Sequence, residues 1–193
     1  MSLPNEIQFP PAVIARGHFQ YESGHHGDLW LQLDNLFVDA KCLNNWAARL
    51  AEQAAFCSPQ IICGALTGGA FVAQLLAVHL DAEFVFCERH VSSGGNVQYS
   101  VPQVLRSTLH GKRCLLVDDV INAGSALRGV LADVQRCEGA VVGIASLMVL
   151  GEAALKIADA QGVPLFTLST LERSMWSPDE YPLCKRGLPL TKF

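Results

Sequence analysis

The stretch RCLLVDDVINAGSALR, residues 113–128, decides the fold of this chain. It begins with an apolar run, continues with the adjacent carboxylates Asp118 and Asp119, and passes through a turn at residues 122–125 into a helix-compatible segment at residues 126–137. This order predicts a strand, an acidic pair, a small-residue loop and a helix. The acids and the free N–H groups of the helix then lie at the carboxyl end of a strand, where open α/β sheets bind ligands.

The residue types in this stretch indicate what it binds. A helix N-terminus attracts phosphate, and Gly124 and Ser125 let an anion approach the backbone closely. Asp118 and Asp119 repel phosphate unless they bind something else, such as sugar hydroxyls or a metal ion. A sugar phosphate carrying Mg²⁺ satisfies both halves of the motif. The alternative is a buried strand that ends in a capped helix, with both acids merely solvated.

The same stretch resembles the phosphoribosyl pyrophosphate (PRPP) signature of the type I phosphoribosyltransferases. That signature has an apolar strand, two acidic residues, two further residues and a Thr/Ala-Gly-Thr/Ser loop. The resemblance implies that Asp118 and Asp119 are catalytic, hold the ribose hydroxyls, assist Mg²⁺ and stabilise the cationic ribose of the transition state. It implies that the 5′-phosphate is bound by the residues that follow, namely Asn122, Ala123, Gly124, Ser125 and Ala126.

A second strand, turn and helix surrounds the sequence Leu66-Thr67-Gly68-Gly69. Two adjacent glycines let backbone N–H groups face an anion closely. The turn resembles the family's Gly-Pro-Ala-x-Gly-Gly loop, which holds pyrophosphate, often through a non-proline cis peptide bond. Arg89 stands where a pyrophosphate contact falls in the family pattern. Taken alone, the turn also fits a plain strand-to-helix connection.

The N-terminal block GHFQYESGHHGDLWLQ, residues 17–32, resembles that of the orotate phosphoribosyltransferases, and the ending at residues 181–190 resembles the ending of one branch of them. The resemblance implies base binding by the residues Phe19, Ser23, Gly24, His25 and His26. His25 stands where the family pattern has Arg, and Gly27 stands where it has Ser. Orotate carries a carboxylate, so the loss of an always-charged, bidentate Arg weakens the contact with that base.

Three functions fit these motifs. The first is a Mg²⁺-dependent enzyme that joins a nucleobase such as orotate to PRPP and releases pyrophosphate. The second is a PRPP-sensing regulator or a catalytically impaired relative. This alternative stays open because His25 stands in place of Arg and because residues 88–112 lack the Lys-rich Lys-x-His-Gly loop of many orotate enzymes. The third is a phosphoribosyltransferase for a purine or another salvage base.

Alternating segments predict an α/β fold with a central parallel sheet flanked by helices. We expect strands within residues 60–64, 83–87, 113–117, 140–150 and 163–168, and helices at 44–57, 69–80 and 126–137. The chain is predicted to be one domain, with a core at about 41–168 and a small hood from about 1–40 and 169–193. The polar residues 88–112 are predicted to form a flexible loop. In the family this segment closes over pyrophosphate and often reaches a second subunit, which implies a homodimer.

Composition excludes several classes of protein. The formal net charge of −4 gives no electrostatic case for nucleic-acid binding. The sequence has no apolar run of about 18 residues and no signal-peptide pattern, so we expect a cytoplasmic protein without a membrane anchor. Of the seven cysteines, Cys63, Cys87 and Cys114 fall in apolar runs and are expected to be reduced core thiols. No pair is spaced as C-x-x-C, so the sequence does not predict a zinc site.

Overall fold

The computed structural model of the chain describes residues 9, 13–20, 26–172 and 176–191. Three residues of the predicted base-binding set, Ser23, Gly24 and His25, lie outside the described residues. The chain divides into two compact units, one of residues 40–171 and one of the described residues within 8–39 and 172–193. None of the helices found in the described ranges is long and apolar enough to cross a membrane.

The helices and strands alternate through the middle of the chain. In chain order they are β1 (Ile14–Gln20), β2 (His26–Leu31), α1 (Ala40–Ala54), β3 (Ile61–Ala65), α2 (Gly68–Leu80), β4 (Glu83–Val91), β5 (Val97–Ser100), β6 (Arg113–Ile121), α3 (Ser125–Arg136), β7 (Ala140–Leu150), α4 (Ala153–Gln161), β8 (Leu165–Leu171) and α5 (Pro182–Lys185). Short 3-10 turns lie at Leu33–Leu36, Ala55–Cys57 and Gln103–Leu109.

The larger unit contains a six-stranded sheet in the order β5-β4-β3-β6-β7-β8. Its strands are parallel except for β5, which runs antiparallel to β4 at the edge. The predicted α/β fold with a central parallel sheet flanked by helices is therefore confirmed, with one antiparallel edge strand added. Connections β3-α2-β4 and β6-α3-β7 leave the centre in opposite directions, so the strand order reverses between β3 and β6. Ligands of open α/β sheets bind at such a reversal.

Both faces of the sheet are covered, as the alternation of side chains along β3 shows. Ile61, Cys63 and Ala65 belong to one buried apolar cluster with residues of α3 and α4. Gly64 points to the other face, where a Cβ atom would lie 2.6 Å from the carbonyl carbon of Gly69 in α2. Each fully buried side chain of Leu or Ile size in these layers contributes about 1.5–3 kcal/mol of transfer free energy.

The expectation of a loop over residues 88–112 is wrong. Strand β4 continues to Val91 and pairs with β5, so that Val91 lies opposite Val97 in a hairpin. After β5, the Val101 N–H donates a 2.7 Å hydrogen bond to the buried carboxylate of Asp133 in α3. The sequence did not reveal these elements because β4 and β5 pair through their backbones and the apolar contribution comes from scattered residues such as Val101, which joins the buried apolar cluster.

The strand β6 is longer than its apolar run. The sequence predicts its end at Val117, but its pairing with the long strand β7 continues to Ile121 opposite Val149. Asp118 and Asp119 therefore lie within the last part of the strand rather than after it. The cysteine prediction is confirmed for Cys63, Cys87 and Cys114, which are fully buried. Burial raises the pKa of the Cys114 thiol to about 12.

The smaller unit is built from both ends of the chain. Strands β1 and β2 form an antiparallel hairpin, in which Gln20 lies opposite His26. Backbone N–H groups of His26 and Trp176 each donate to the carbonyl oxygen of the other residue, at 2.9 and 3.0 Å. The Gln20 N–H donates to the Thr191 carbonyl oxygen at 3.1 Å, so the C-terminal segment is hydrogen-bonded along both strands of the hairpin.

Candidate functional site

Two loops lie side by side where the strand order reverses. The loop Leu66-Thr67 follows β3, and the loop Asn122-Ala123-Gly124 follows β6. Strands β3 and β6 are hydrogen-bonded neighbours, with Gly64 opposite Val117. The two stretches that the sequence identified separately are therefore neighbours at the carboxyl edge of the sheet.

The first loop brings the N-terminus of α2 against the acidic pair. The peptide bond between Leu66 and Thr67 is cis, as the resemblance led us to expect for this loop. Thr67 provides no side-chain cap for α2. A Cβ atom on Gly69 would lie 2.7 Å from Asp118 Oδ1 and 3.2 Å from its Cα atom. Only glycine at position 69 allows the helix to approach Asp118 this closely.

Asp118 and Asp119 form a coupled acidic pair. Both residues are half-buried, and the Asp119 N–H donates a 3.1 Å hydrogen bond to Asp118 Oδ1. Burial, followed by the negative charge of Asp119, raises the pKa of Asp118 well above its usual range. Such a site gains free energy when a cation or a hydroxyl donor binds the carboxylates.

The second loop leaves the N-terminus of α3 open. Gly124 precedes the helix with φ of 74°, and a Cβ atom there would lie 2.6 Å from Ile157 Cδ1. Because glycine has no side chain, it cannot cap the first turn, and the N–H groups of that turn are suited to an anion. Ser125 is exposed at the start of the helix, as are Asn122 and Ala123.

Two supporting residues escaped the sequence analysis. The buried Ser146 of β7 places its hydroxyl 3.1 Å from the Asp119 carbonyl oxygen and 2.7 Å from that of Met148. The Arg128 guanidinium donates a 2.8 Å hydrogen bond to the Ala123 carbonyl oxygen and braces the second loop. A serine inside an otherwise apolar strand was the only available signal for the first, and nothing in the sequence pattern marks the second.

Arg89 lies at the same edge of the sheet as the first loop. The Leu66 N–H donates to the Cys87 carbonyl oxygen at 2.9 Å, and Arg89 follows two residues later in β4, opposite Tyr99. Arg89 is exposed. This position fits a cation that contacts an anion held by the first loop.

The two predicted base-binding residues that the structure describes, Phe19 and His26, belong to the smaller unit. Phe19 is buried, and its ring lies 6.1 Å from that of Trp30, between centroids. His26 is buried as well, and its ring contacts His18 and Cys184. Both side chains are therefore packed inside the smaller unit, with 5% of Phe19 and 6% of His26 exposed.

Comparison with known proteins gives one family match and many similar relatives. The family model described as "Phosphoribosyl transferase domain" matches residues 36–168. An orotate phosphoribosyltransferase of Caldanaerobacter subterraneus is 28% identical over 182 residues, which cover 93% of this chain and 90% of the relative. One from a Thermoanaerobacter species is 28% identical over 189 residues, which cover 97% and 93%.

Solved structures share the fold. The crystal structure of orotate phosphoribosyltransferase from Aeropyrum pernix aligns with a TM-score of 0.64 at 20% identity, covering 82% of this chain and 88% of that one. The Mycobacterium tuberculosis orotate phosphoribosyltransferase in complex with PRPP aligns with a TM-score of 0.58 at 20% identity, covering 73% and 80%. At these identities the likeness shows a common fold.

Proposed function

We propose that this chain, which belongs to the phosphoribosyltransferase family, joins orotate to PRPP with release of pyrophosphate and requires Mg²⁺. The observation that carries the proposal is the position of Asp118. Its carboxylate lies against Gly69 of one anion-suited loop and precedes the second such loop on the same strand. PRPP bears a phosphate and a pyrophosphate, which suit the two loops, and two ribose hydroxyls, which suit the carboxylate between them.

The reaction replaces one bond at C1 of the ribose by another. A ring nitrogen of the base forms the new C–N bond and loses its proton to the pyrophosphate or to water, while the C–O bond to pyrophosphate breaks and its electron pair leaves with the pyrophosphate. Positive charge develops on the ribose, and the carboxylates of Asp118 and Asp119 stabilise it electrostatically. Holding both ends of PRPP while this bond breaks is mainly positioning, which requires little covalent chemistry from side chains.

Each loop has its own part in this proposal. Residues 122–126 bind the 5′-phosphate through backbone N–H groups and the Ser125 hydroxyl. Residues 66–69, with the Arg89 guanidinium, bind the leaving pyrophosphate. The support for both parts is the same: each helix begins without a side-chain cap, next to a glycine that has no side chain in the way of an anion.

The donor set at the acidic pair fits Mg²⁺. Adjacent carboxylate oxygens are the ligands that this hard cation prefers, and the raised pKa of Asp118 reflects two neighbouring negative charges that are partly withdrawn from water. Asp118 and Asp119 would hold the ion together with the ribose hydroxyls. Bound there, Mg²⁺ would supply charge neutralisation for the pyrophosphate.

Orotate is the proposed base because relatives whose alignments cover more than nine-tenths of this chain, at 28% identity, carry that name. By resemblance, the proposed base contacts are Phe19, Ser23, Gly24, His25 and His26. His25 in place of Arg is the feature that opposes orotate, so the choice of base needs a direct test. We also propose a homodimer, to be measured by light scattering of the purified chain.

The test is pyrophosphate release from PRPP and Mg²⁺ with orotate, uracil, adenine and guanine offered in turn. We expect orotate to give the highest kcat/KM, and reactions without Mg²⁺ to give none. Adenine or guanine as the preferred acceptor would assign the chain to salvage and contradict the proposed base. PRPP binding without turnover of any base would contradict the proposed activity.

A further inference from the structure

We propose that His18, His26 and Cys184 bind a zinc ion within the smaller unit. The three residues come from β1, β2 and α5, and their ligand atoms face one another. His18 Nε2 lies 3.1 Å from His26 Nδ1. Cys184 Sγ lies 3.0 Å from His26 Nδ1 and 3.2 Å from His18 Nε2. Two imidazole nitrogens and one thiol therefore converge on one point.

A backbone carbonyl orients one of the ligands. His18 Nδ1 lies 2.9 Å from the Leu188 carbonyl oxygen, which can only accept a hydrogen bond. Nδ1 is therefore the protonated nitrogen, and Nε2 presents its lone pair to His26 and Cys184. In metal-binding histidines, the ring N–H that faces away from the metal commonly donates to such an acceptor, which fixes the orientation of the ring.

The spacing of the three atoms is close to that of a zinc site. With Zn–N distances of about 2.0–2.1 Å and a Zn–S distance of about 2.3 Å, tetrahedral ligand atoms lie about 3.3–3.6 Å apart. The observed separations are 3.0–3.2 Å. An outward shift of a few tenths of an ångström, within reach of small side-chain rotations, would admit the ion. The fourth position is then available to solvent or another ligand.

The surroundings of the cluster favour a metal. His18 is only 7% exposed and His26 only 6%, and such a shielded setting limits the access of solvent to a metal site. The Tyr181 ring packs edge-on against His18, with centroids 5.1 Å apart, and stacks on Trp176. This aromatic wall excludes water from one side of the cluster.

The smaller unit has little apolar core of its own. Among its described residues the buried hydrophobic side chains are Val13, Phe19, Leu36 and Tyr181. Units of this size commonly need a metal or disulfides for stability. A metal held by His26 and Cys184 would join residues 158 positions apart in the sequence and so link the two ends of the chain.

The donor chemistry selects the ion. A thiolate with two imidazoles suits zinc, whereas Mg²⁺ prefers oxygen ligands. The cluster therefore differs in kind from the acidic pair of the larger unit. The cysteine binds as the thiolate, so the thiol proton is released when zinc binds. The sequence does not predict this site because it contains no C-x-x-C pair: Tyr181 stands three residues before Cys184.

The first measurement is the zinc content of the untagged full chain, by mass spectrometry of the elements after equilibration with zinc and gel filtration. We expect about one zinc per chain. Cys184→Ser and His26→Ala should each lower this to less than about a tenth. Cys57→Ser, which removes a half-exposed thiol of the larger unit, should keep the full content.

A second measurement needs no variant. Replacing zinc by Co²⁺ in the unaltered chain should produce the visible absorption of tetrahedral cobalt and a sulfur-to-cobalt charge-transfer band, since one ligand is a thiolate. An unaltered chain that binds no zinc and gives no cobalt spectrum would overturn the proposal and leave a hydrogen-bonded trio. Full zinc content in Cys184→Ser would overturn it as well. Both readouts are independent of pyrophosphate release and therefore of the proposed reaction.

Discussion

Replacing Gly69 by Ala should move the two halves of the proposed PRPP site, the N-terminus of α2 and the Asp118 carboxylate, apart. The added Cβ would lie 2.7 Å from Asp118 Oδ1, 3.1 Å from the Val117 carbonyl oxygen and 3.2 Å from Asp118 Cα. Two of these three atoms are backbone, so the strain cannot be relieved by rotating a side chain alone. The N-terminus of α2 and the Asp118 carboxylate must move apart by about half an ångström or more, the excess of normal contact over these distances.

The expected magnitude follows from that movement. Overpacking of this kind costs about 1–3 kcal/mol of stability, and misplacement of catalytic groups by about 1 Å costs about a hundredfold in rate. We therefore expect kcat/KM for PRPP to fall between about tenfold and a hundredfold. Pyrophosphate release and thermal unfolding of the same preparation would measure both effects.

Gly111→Ala is the matched control for lost stability. Gly111 has φ of 69° and no atom within 4 Å of an added Cβ, and it lies before β6, at the opposite edge of the sheet. Alanine at this φ should lower the free energy of unfolding by about 1 kcal/mol or more and leave kcat/KM unchanged. A folded Gly69→Ala protein with kcat/KM within twofold of the unaltered chain would refute the close approach as a catalytic requirement.

Three further predictions test single residues. The pKa of Asp118 is raised in the folded protein, so the contribution of this group to the stability of the fold is greatest below the ordinary pKa of about 3.9 and is lost as the pH rises through the folded pKa. Asp118→Asn should therefore raise the Tm of the ligand-free protein at neutral pH, and the gain should shrink in acid. An unchanged or lower Tm at pH 7 would contradict the raised pKa. Ser146→Ala removes the hydroxyl next to the Asp119 carbonyl and should cost about 1–3 kcal/mol in chemical denaturation, whereas a cost near zero would show that the hydroxyl does not hold this strand. His25→Arg should raise kcat/KM for orotate about tenfold to more than a hundredfold, the effect of one charged hydrogen bond, and leave the affinity for PRPP unchanged. Efficient orotate turnover by the unaltered chain, through another cation such as Arg16 or Lys185, would contradict the idea that His25 weakens orotate binding.

The sequence predicts the bounds of a strand well where the strand itself is an uninterrupted apolar run. Strand β7 begins and ends where the apolar run at 140–150 does, because both of its faces are covered and no charged residue interrupts it. Strand β6 exceeds its apolar run by four residues, since backbone pairing with β7 extends the strand through Asp118 and Asp119. Such an extension depends on the neighbouring strand and leaves no trace in local composition.

The candidate site was predictable for a similar reason and only in part. The residues of each loop are contiguous in the sequence, so the pattern of strand, small residues and helix identifies them. The contact between Gly69 and Asp118, and the hydroxyl of Ser146 beside Asp119, join separate strands and helices and require the three-dimensional structure. The cluster of His18, His26 and Cys184 is the extreme case, because its members lie far apart in sequence and no local spacing rule detects them.

The most direct test of the central claim is the double variant Asp118→Asn, Asp119→Asn, assayed for pyrophosphate release from PRPP with Mg²⁺ and the preferred base. The substitutions keep the shape of both side chains and remove the charge that, in the proposed reaction, holds Mg²⁺ and stabilises the cationic ribose. We predict that kcat falls at least about 100-fold, the lower range for the loss of one well-placed electrostatic group, in a protein whose circular dichroism is unchanged. Pyrophosphate release at the rate of the unaltered chain would contradict the account.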